Sequence, residues 1–256
     1  MLSLVWGGLI LVSTWMFFLW MVQRQTGNAA IVDVGWTVSL PALHLYFAWG
    51  SGARNLVLAG LILLWGVRLG GYLFWTRARP GVPEEGRYQQ LRVEWGQHFQ
   101  RNLFWFYQAQ GWAALLLAAC FLPVYADCGR AFGLWELLGT LVFLIGWRGV
   151  ALADAQLHRF KSDPRNHGQV CQLGLWNYSR HPNYFFESVL WFGWALYGQA
   201  SPGAGWTWLA PLTILHLVLN VTGIPPTEAQ SVRSKGDLYR RYQATTSAFV
   251  PWFKKS

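Results

Sequence analysis

Charge is what this sequence has least of. Only 12% of its 256 residues are Asp, Glu, Lys or Arg, about half the share of an ordinary soluble domain, which makes lipid the better candidate for its solvent. Acids are the scarcer sign, 11 against 20 Lys plus Arg. Cysteine is nearly missing: Cys120, Cys128 and Cys171 are odd in number and lack metal-ligand spacing, which excludes a disulfide framework and a zinc site. The composition also excludes intrinsic disorder and coiled coil, and neither an internal repeat nor a low-complexity linker is found. No Gly-x-Gly-x-x-Gly follows a strand, so a Rossmann dinucleotide site is not on offer.

What is present is apolar and aromatic, 54% hydrophobic with 18 Trp. A bilayer core takes about 20 mostly apolar residues per helix, and such runs fall at 2–22, 30–49, 56–75, 104–125, 134–152, 183–197 and 206–221. The expected fold is therefore all-α, a polytopic membrane bundle of seven spans forming one domain. The first run lacks a basic leader and a small-residue cleavage site, so it is read as a retained span. The fifth continues as helix to Phe160, and Pro182 opens the sixth in the favoured first-turn position.

Basic residues follow the third, fifth and seventh runs: Arg77, Arg79, Arg87, Arg92 and Arg101, then Arg159, Lys161, Arg165 and Arg180, then Arg233, Lys235, Arg240, Arg241, Lys254 and Lys255. The opposite loops carry only Arg54 and Arg130. The positive-inside rule then puts the N-terminus outside and the C-terminus in the cytoplasm. With its charges lying between apolar runs, the net +9 reads as topology signal and anion sites, and nucleic acid is not an expected partner.

Charge within a span costs at least about 2.5 kcal/mol, so each intramembrane ionisable group is a functional hypothesis. Asp33, Arg68, Arg148 and Glu187 qualify; a structural ion pair, for instance Asp33 with Arg68, is the competing explanation. The densest polar signal runs from Asp154 to Glu187. Asp154, His158 and Lys161 stand at i, i+4 and i+7, one stripe of a helix facing the cytoplasmic side. Arg180 and His181 precede the proline-started helix, whose unpaired N–H groups and positive dipole end make a ready phosphate site. Asn183 and Glu187 share the next face, with Tyr184 between them. In the tail, Tyr239 and Tyr242 lie three apart on a short helix beside Arg240. Such a basic amphipathic helix is commonly a lipid-surface anchor, and its rings and guanidinium groups would also suit an adenine and its phosphates.

Gly174-Leu175-Trp176, Arg180-His181-Pro182-Asn183-Tyr184 with Glu187, the tyrosine-bearing tail with its terminal Phe-Val-Pro-Trp, Asp33-Val34-Gly35-Trp36 and Arg68-Leu69-Gly70-Gly71-Tyr72 together resemble the DUF1295 family of bacterial membrane proteins. That family is grouped with steroid 5-alpha reductases and, more remotely, with sterol C14 reductases and isoprenylcysteine carboxyl methyltransferases. The resemblance implies seven transmembrane helices and an NADPH cavity facing the cytosol. Asp154 and Lys161, then Asn183 and Glu187, match the reductases' cofactor residues, and Arg77 and Arg79 match their basic loop after the third helix. A substrate half at about 1–125 and a cofactor half at about 134–256 follow. The substrate half matches less well: where those reductases use a Tyr of the third helix, this chain has Trp65, which leaves Asp33 or Tyr72 as the candidate catalytic acid.

The leading expectation is thus an NADPH-dependent reductase of a carbon–carbon double bond in a lipophilic, steroid-, isoprenoid- or fatty-type substrate. Hydride would leave a nicotinamide near Asn183 and Glu187, while Arg180, Lys161 and Arg240 would hold phosphates. The expected partners are that substrate and membrane lipids, and the expected location a bacterial inner membrane with the site facing the cytoplasm. The alternative is an S-adenosylmethionine-dependent isoprenyl or lipid methyltransferase. Those enzymes carry paired acids at the start of the tail, whereas Pro225-Pro226-Thr227-Glu228 has one. A transport protein is the third reading, and the inverted repeats common in transporters are missing.

Overall fold

The computed structural model describes residues 1–49 and 52–254. Lys255, counted above among the basic tail residues, lies outside the described residues. The apolar runs close their backbone hydrogen bonds within helices, as lipid requires, and among the described residues the one strand-like pairing is a bridge between Ser179 and Ser247. Five helical segments are long and apolar enough to cross a membrane: Leu2–Thr26, Ile31–Ala48, Arg54–Ala78, Leu134–Ser162 and Ala204–Lys235. The two other expected spans are helices that fall short of that standard. One carries Gln100, Arg101, Asn102, Gln108 and Gln110, and the other is 16 residues long.

The chain divides into two compact units. The first, Met1–Phe132 with Ser201–Trp206, contains α1 (Leu2–Thr26), α2 (Ile31–Ala48), α3 (Ala53–Leu73, prolonged by a π-turn over Phe74–Ala78), α4 (Gly86–Trp95), α5 (Phe99–Ala119) and α6 (Leu122–Ala126). The run expected at 104–125 therefore starts five residues early and breaks after Ala119. Helix α2 sits against α1, α3 and α5. Glycines permit this: a Cβ on Gly66 would strike the Pro41 ring, and one on Gly35 would strike Leu19. Away from the basic loop, buried Arg54 donates to Ser201 Oγ at 2.7 Å and the Val124 carbonyl at 3.2 Å. Asp127 pairs with both Arg54, at 3.4 Å, and Arg130, at 2.7 Å. His44 is a bundle residue, 1% exposed, with Nδ1 2.7 Å from Tyr125 Oη.

The second unit, Gly133–Ala200 with Thr207–Ser256, is built on α7 (Leu134–Ser162) and α8 (Pro182–Tyr197), followed by α9 (Leu209–His216, continued by a π-turn over Leu217–Val221), α10 (Ile224–Lys235) and α11 (Asp237–Thr245). At the start of α7, Glu136 Oε2 accepts from the Gly133 N–H at 3.0 Å, an N-terminal cap. Helices α7 and α8 touch backbone to backbone, since Gly139 and Gly193 lie in mutual contact and a Cβ on Gly146 would come within 2.6 Å of the Leu190 nitrogen. That closeness fixes which residues of each helix face the other.

Candidate functional site

Helix α7 runs unbroken past its apolar part, so Asp154 is presented two turns before its end, and Pro182 starts α8 directly opposite. Asn183 Nδ2 donates to Asp154 Oδ1 at 3.4 Å. Asn183 Oδ1 is buried and accepts no hydrogen bond among the described residues, although a buried acceptor left unmet costs about 1–3 kcal/mol. One turn along, Glu187 Oε1 accepts from Trp191 Nε1 at 3.2 Å. Asn183, which shares a face of α8 with Glu187 as the i, i+4 spacing required, is thus brought to Asp154 of α7. His158 and Lys161 continue the α7 stripe and are exposed.

Arg180 and His181 are placed differently from a phosphate cradle. Arg180 Nε donates to Glu228 Oε1 at 2.6 Å, and Nη1 donates to the carbonyls of Gln243 at 2.9 Å and Thr246 at 2.5 Å. His181, 3% exposed, has Nε2 3.2 Å from the same Glu228 oxygen and its ring stacked on Tyr184 at 5.3 Å. Gln243 Nε2 donates to Glu228 Oε2 at 2.8 Å. The carboxylate therefore gathers donors from the start of α8 and from α11, and ties α10 and the tail to them. Glu228 stood out in the sequence only as the single acid at the start of the tail; its partners lie 15 to 48 residues away, which no local pattern reveals.

The tail tyrosines point inward. Tyr242 Oη donates to the Trp176 carbonyl and, at 3.1 Å, to that of Ser179; burial pushes its hydroxyl pKa up. Tyr239 lies edge-on to Tyr242 at 5.8 Å, and burial, reinforced by the Glu228 charge, pushes its hydroxyl up to about 12. Both rings are buried in packing, whereas Arg240 and Arg241 are exposed. Buried Cys171 feels the charges of Lys235 and Lys161, but burial dominates and pushes its thiol up.

The first unit has its own polar cluster. Asp33, at the start of α2, accepts from Tyr88 Oη at 2.7 Å and from Arg77 Nη1 at 3.1 Å, and Arg77 Nη1 also reaches Glu85 at 2.8 Å. Tyr88, on α4, is fully buried, and burial next to Asp33 holds its hydroxyl well above the usual phenol range. Glu84 caps the neighbouring turn, accepting from the Ala29 N–H at 2.8 Å and pairing with Arg92 at 3.0 Å. Of the two expected acids, Asp33 is in this cluster, and Tyr72 stands 40% exposed on α3. Arg77 is in it too, while Arg79 lies over the Trp75 ring at 4.6 Å. Tyr88 was missed because α4 falls in a polar loop without helical periodicity in its apolar residues.

Comparison with known proteins adds the lineage. An uncharacterized protein of Schizosaccharomyces pombe is 27% identical over 277 aligned residues, which cover 91% of this chain and 75% of that protein. No solved structure matches the chain. The family model described as "Protein of unknown function (DUF1295)" matches residues 19–246. That stretch contains both polar clusters and the whole Glu228 clamp, and the chain belongs to the DUF1295 family.

Proposed function

We propose that this chain is an NADPH-dependent membrane reductase acting on a carbon–carbon double bond of a lipophilic substrate. The observation that carries the reading is Asn183: its Oδ1 is buried, with no donor among the described residues, beside the carboxylate of Asp154. An incoming N–H group, such as a primary carboxamide or an amine on a ring, would satisfy it. A nicotinamide nucleotide offers such groups, so the residues fit the cofactor. When bound, NADPH supplies hydride. Asn183, Asp154 and Glu187 would hold and orient its polar end, with exposed His158 and Lys161 further along α7 toward the phosphates. Arg180, His181, Tyr184, Tyr239 and Tyr242 act behind that face, by fixing α8 to α10 and α11.

In the first unit, burial beside Asp33 keeps Tyr88 protonated at neutral pH, and its Oη donates to Asp33 Oδ1 at an oxygen–oxygen distance of 2.7 Å. The reading takes this pair as its proton store in preference to Tyr72, because Tyr88 is buried and held by a carboxylate whereas Tyr72 is 40% exposed. The apolar surroundings favour a lipophilic substrate of steroid, isoprenoid or fatty type. For topology the reading takes α5 and α8 as the fourth and sixth of seven spans, with the N-terminus outside, the C-terminus cytoplasmic and the membrane a cytoplasmic one. The pairing of Arg54 and Arg130 with Asp127 supports that orientation, since it neutralises charge on the face assigned outside.

The test is a thermal-shift titration of detergent-purified protein with NADPH, NADH and S-adenosylmethionine. A ligand at 100 times its Kd stabilises the native state by about 2.7 kcal/mol. Stabilisation by NADPH, reduced for NADH, is expected; stabilisation by S-adenosylmethionine alone would replace the reductase with a lipid methyltransferase.

A further inference from the structure

The tail lines an open cavity of about 460 Å³ that the proposed reductase chemistry does not use. Its polar wall is Arg180, Gln243, Thr246 and Ser247, and its apolar side is Val250, Trp252 and Phe253. The wall is rigid: the Arg180 N–H donates to the Ser247 carbonyl, and the Trp252 N–H to the Tyr178 carbonyl, each at 2.9 Å. The Arg180 side chain is 10% exposed. A guanidinium has five N–H donors; in Arg180 the Nε and Nη1 atoms are engaged by Glu228 and two carbonyls, and Nη2 has no partner among the described residues. A buried cation thus presents one unused edge to a cavity.

The other side of the cavity has the opposite character. Val250, Trp252 and Phe253 are 50%, 67% and 75% exposed, in a segment outside the apolar helices. Tyr178 packs edge-on to Phe253 at 6.2 Å, and Lys254 follows with Nζ on Gln172 Oε1 at 2.7 Å. Ordered backbone holding large aromatics in the open, beside a lysine, is the pattern of a lipid–water interface. Hydrogen-bond donors at the polar wall and an apolar exit call for an amphiphile with an anionic head.

We propose that this cavity binds the phosphate headgroup of an anionic membrane lipid, with the phosphate oxygens on Arg180 Nη2 and the acyl chains leaving over Val250, Trp252 and Phe253. Charge complementarity favours an anionic lipid over a zwitterionic one, because the tethered ammonium of a zwitterionic headgroup would meet the like charges of Arg180 and Lys254. Binding would dock the tail on the bilayer.

Native mass spectrometry of the full chain, released from detergent with phosphatidylglycerol or phosphatidylcholine, tests the proposal. At least about tenfold more retention of phosphatidylglycerol is expected. Ala248→Trp, which fills the cavity without touching Arg180, should abolish that preference, and Ser247→Asp, which places a carboxylate in the wall, should do the same should the larger side chain prevent folding. Equal retention of the two lipids, or a preference that survives in either folded variant, would overturn it. Displacement of the lipid by equimolar inorganic phosphate would make this a free-anion site, and displacement by NADPH would give the cavity to the cofactor; either result rejects the lipid assignment. A failure here with NADPH binding intact leaves the reductase reading standing.

Discussion

Glu228→Ala should release the tail from α8. The carboxylate accepts from Arg180 Nε, His181 Nε2 and Gln243 Nε2 at 2.6, 3.2 and 2.8 Å, and the Glu228, Arg180 and His181 side chains are 15%, 10% and 4% exposed. Removing one member of a buried ion pair costs about 3–5 kcal/mol, because the other charge stays desolvated. Arg180 keeps the Gln243 and Thr246 carbonyls, which places the expected loss near the lower end, about 3 kcal/mol. That is roughly a hundredfold in the opening equilibrium. Hydrogen exchange measures it directly, since protected amides of α11 exchange through local opening. Their exchange should rise roughly a hundredfold in Glu228→Ala while α7 amides barely change, and Glu228→Gln, which retains an acceptor without the charge, should fall between. A rise of less than about fivefold in α11 would refute the clamp.

Tyr88→Phe removes the 2.7 Å donor of Asp33; with Arg77 retained, a loss of about 1.5–3 kcal/mol is expected in denaturant unfolding, and an unchanged midpoint would count against the cluster. Gly146→Leu should lower the melting temperature strongly, because even a Cβ would lie 2.6 Å from the Leu190 nitrogen, whereas Gly71→Ala, with nothing within 4 Å, should be neutral or stabilising by up to about 1 kcal/mol. The Tyr239 hydroxyl is raised from 10.0 to about 12, so its contribution to stability is complete below pH 10 and disappears as pH rises toward 12. Alkaline titration of α11 by hydrogen exchange should show this loss, made shallower by Tyr239→Phe.

The parts of this protein governed by local rules were legible in its sequence. The continuation of α7 past its apolar part, the proline start of α8 and the short helix bearing Tyr239 and Tyr242 all follow from periodicity and capping, and all are present. The spacing of Asn183 and Glu187 also put both on α8, one turn apart, while the approach of Asp154 from α7 was not legible from spacing. Long-range choices were not legible. Arg180 and His181 have the chemistry of a phosphate site, but Glu228, 48 and 47 residues on, takes up the His181 ring and the Nε of Arg180. Tyr72 was the nearest phenol along the third run, yet the hydroxyl on Asp33 comes from Tyr88, 55 residues away. Helix α10 was hidden behind Pro225 and Pro226, which read as a stop when they stand in a first turn.

Isothermal calorimetry of NADPH and NADH on the wild-type protein and Asn183→Leu tests the central claim most directly. The account predicts that NADPH binds at least about tenfold tighter than NADH and that the variant loses at least about 1.4 kcal/mol of NADPH affinity, as expected when a buried donor of the ligand loses its acceptor. Absence of NADPH binding to folded wild-type protein, or equal binding by Asn183→Leu, would contradict it.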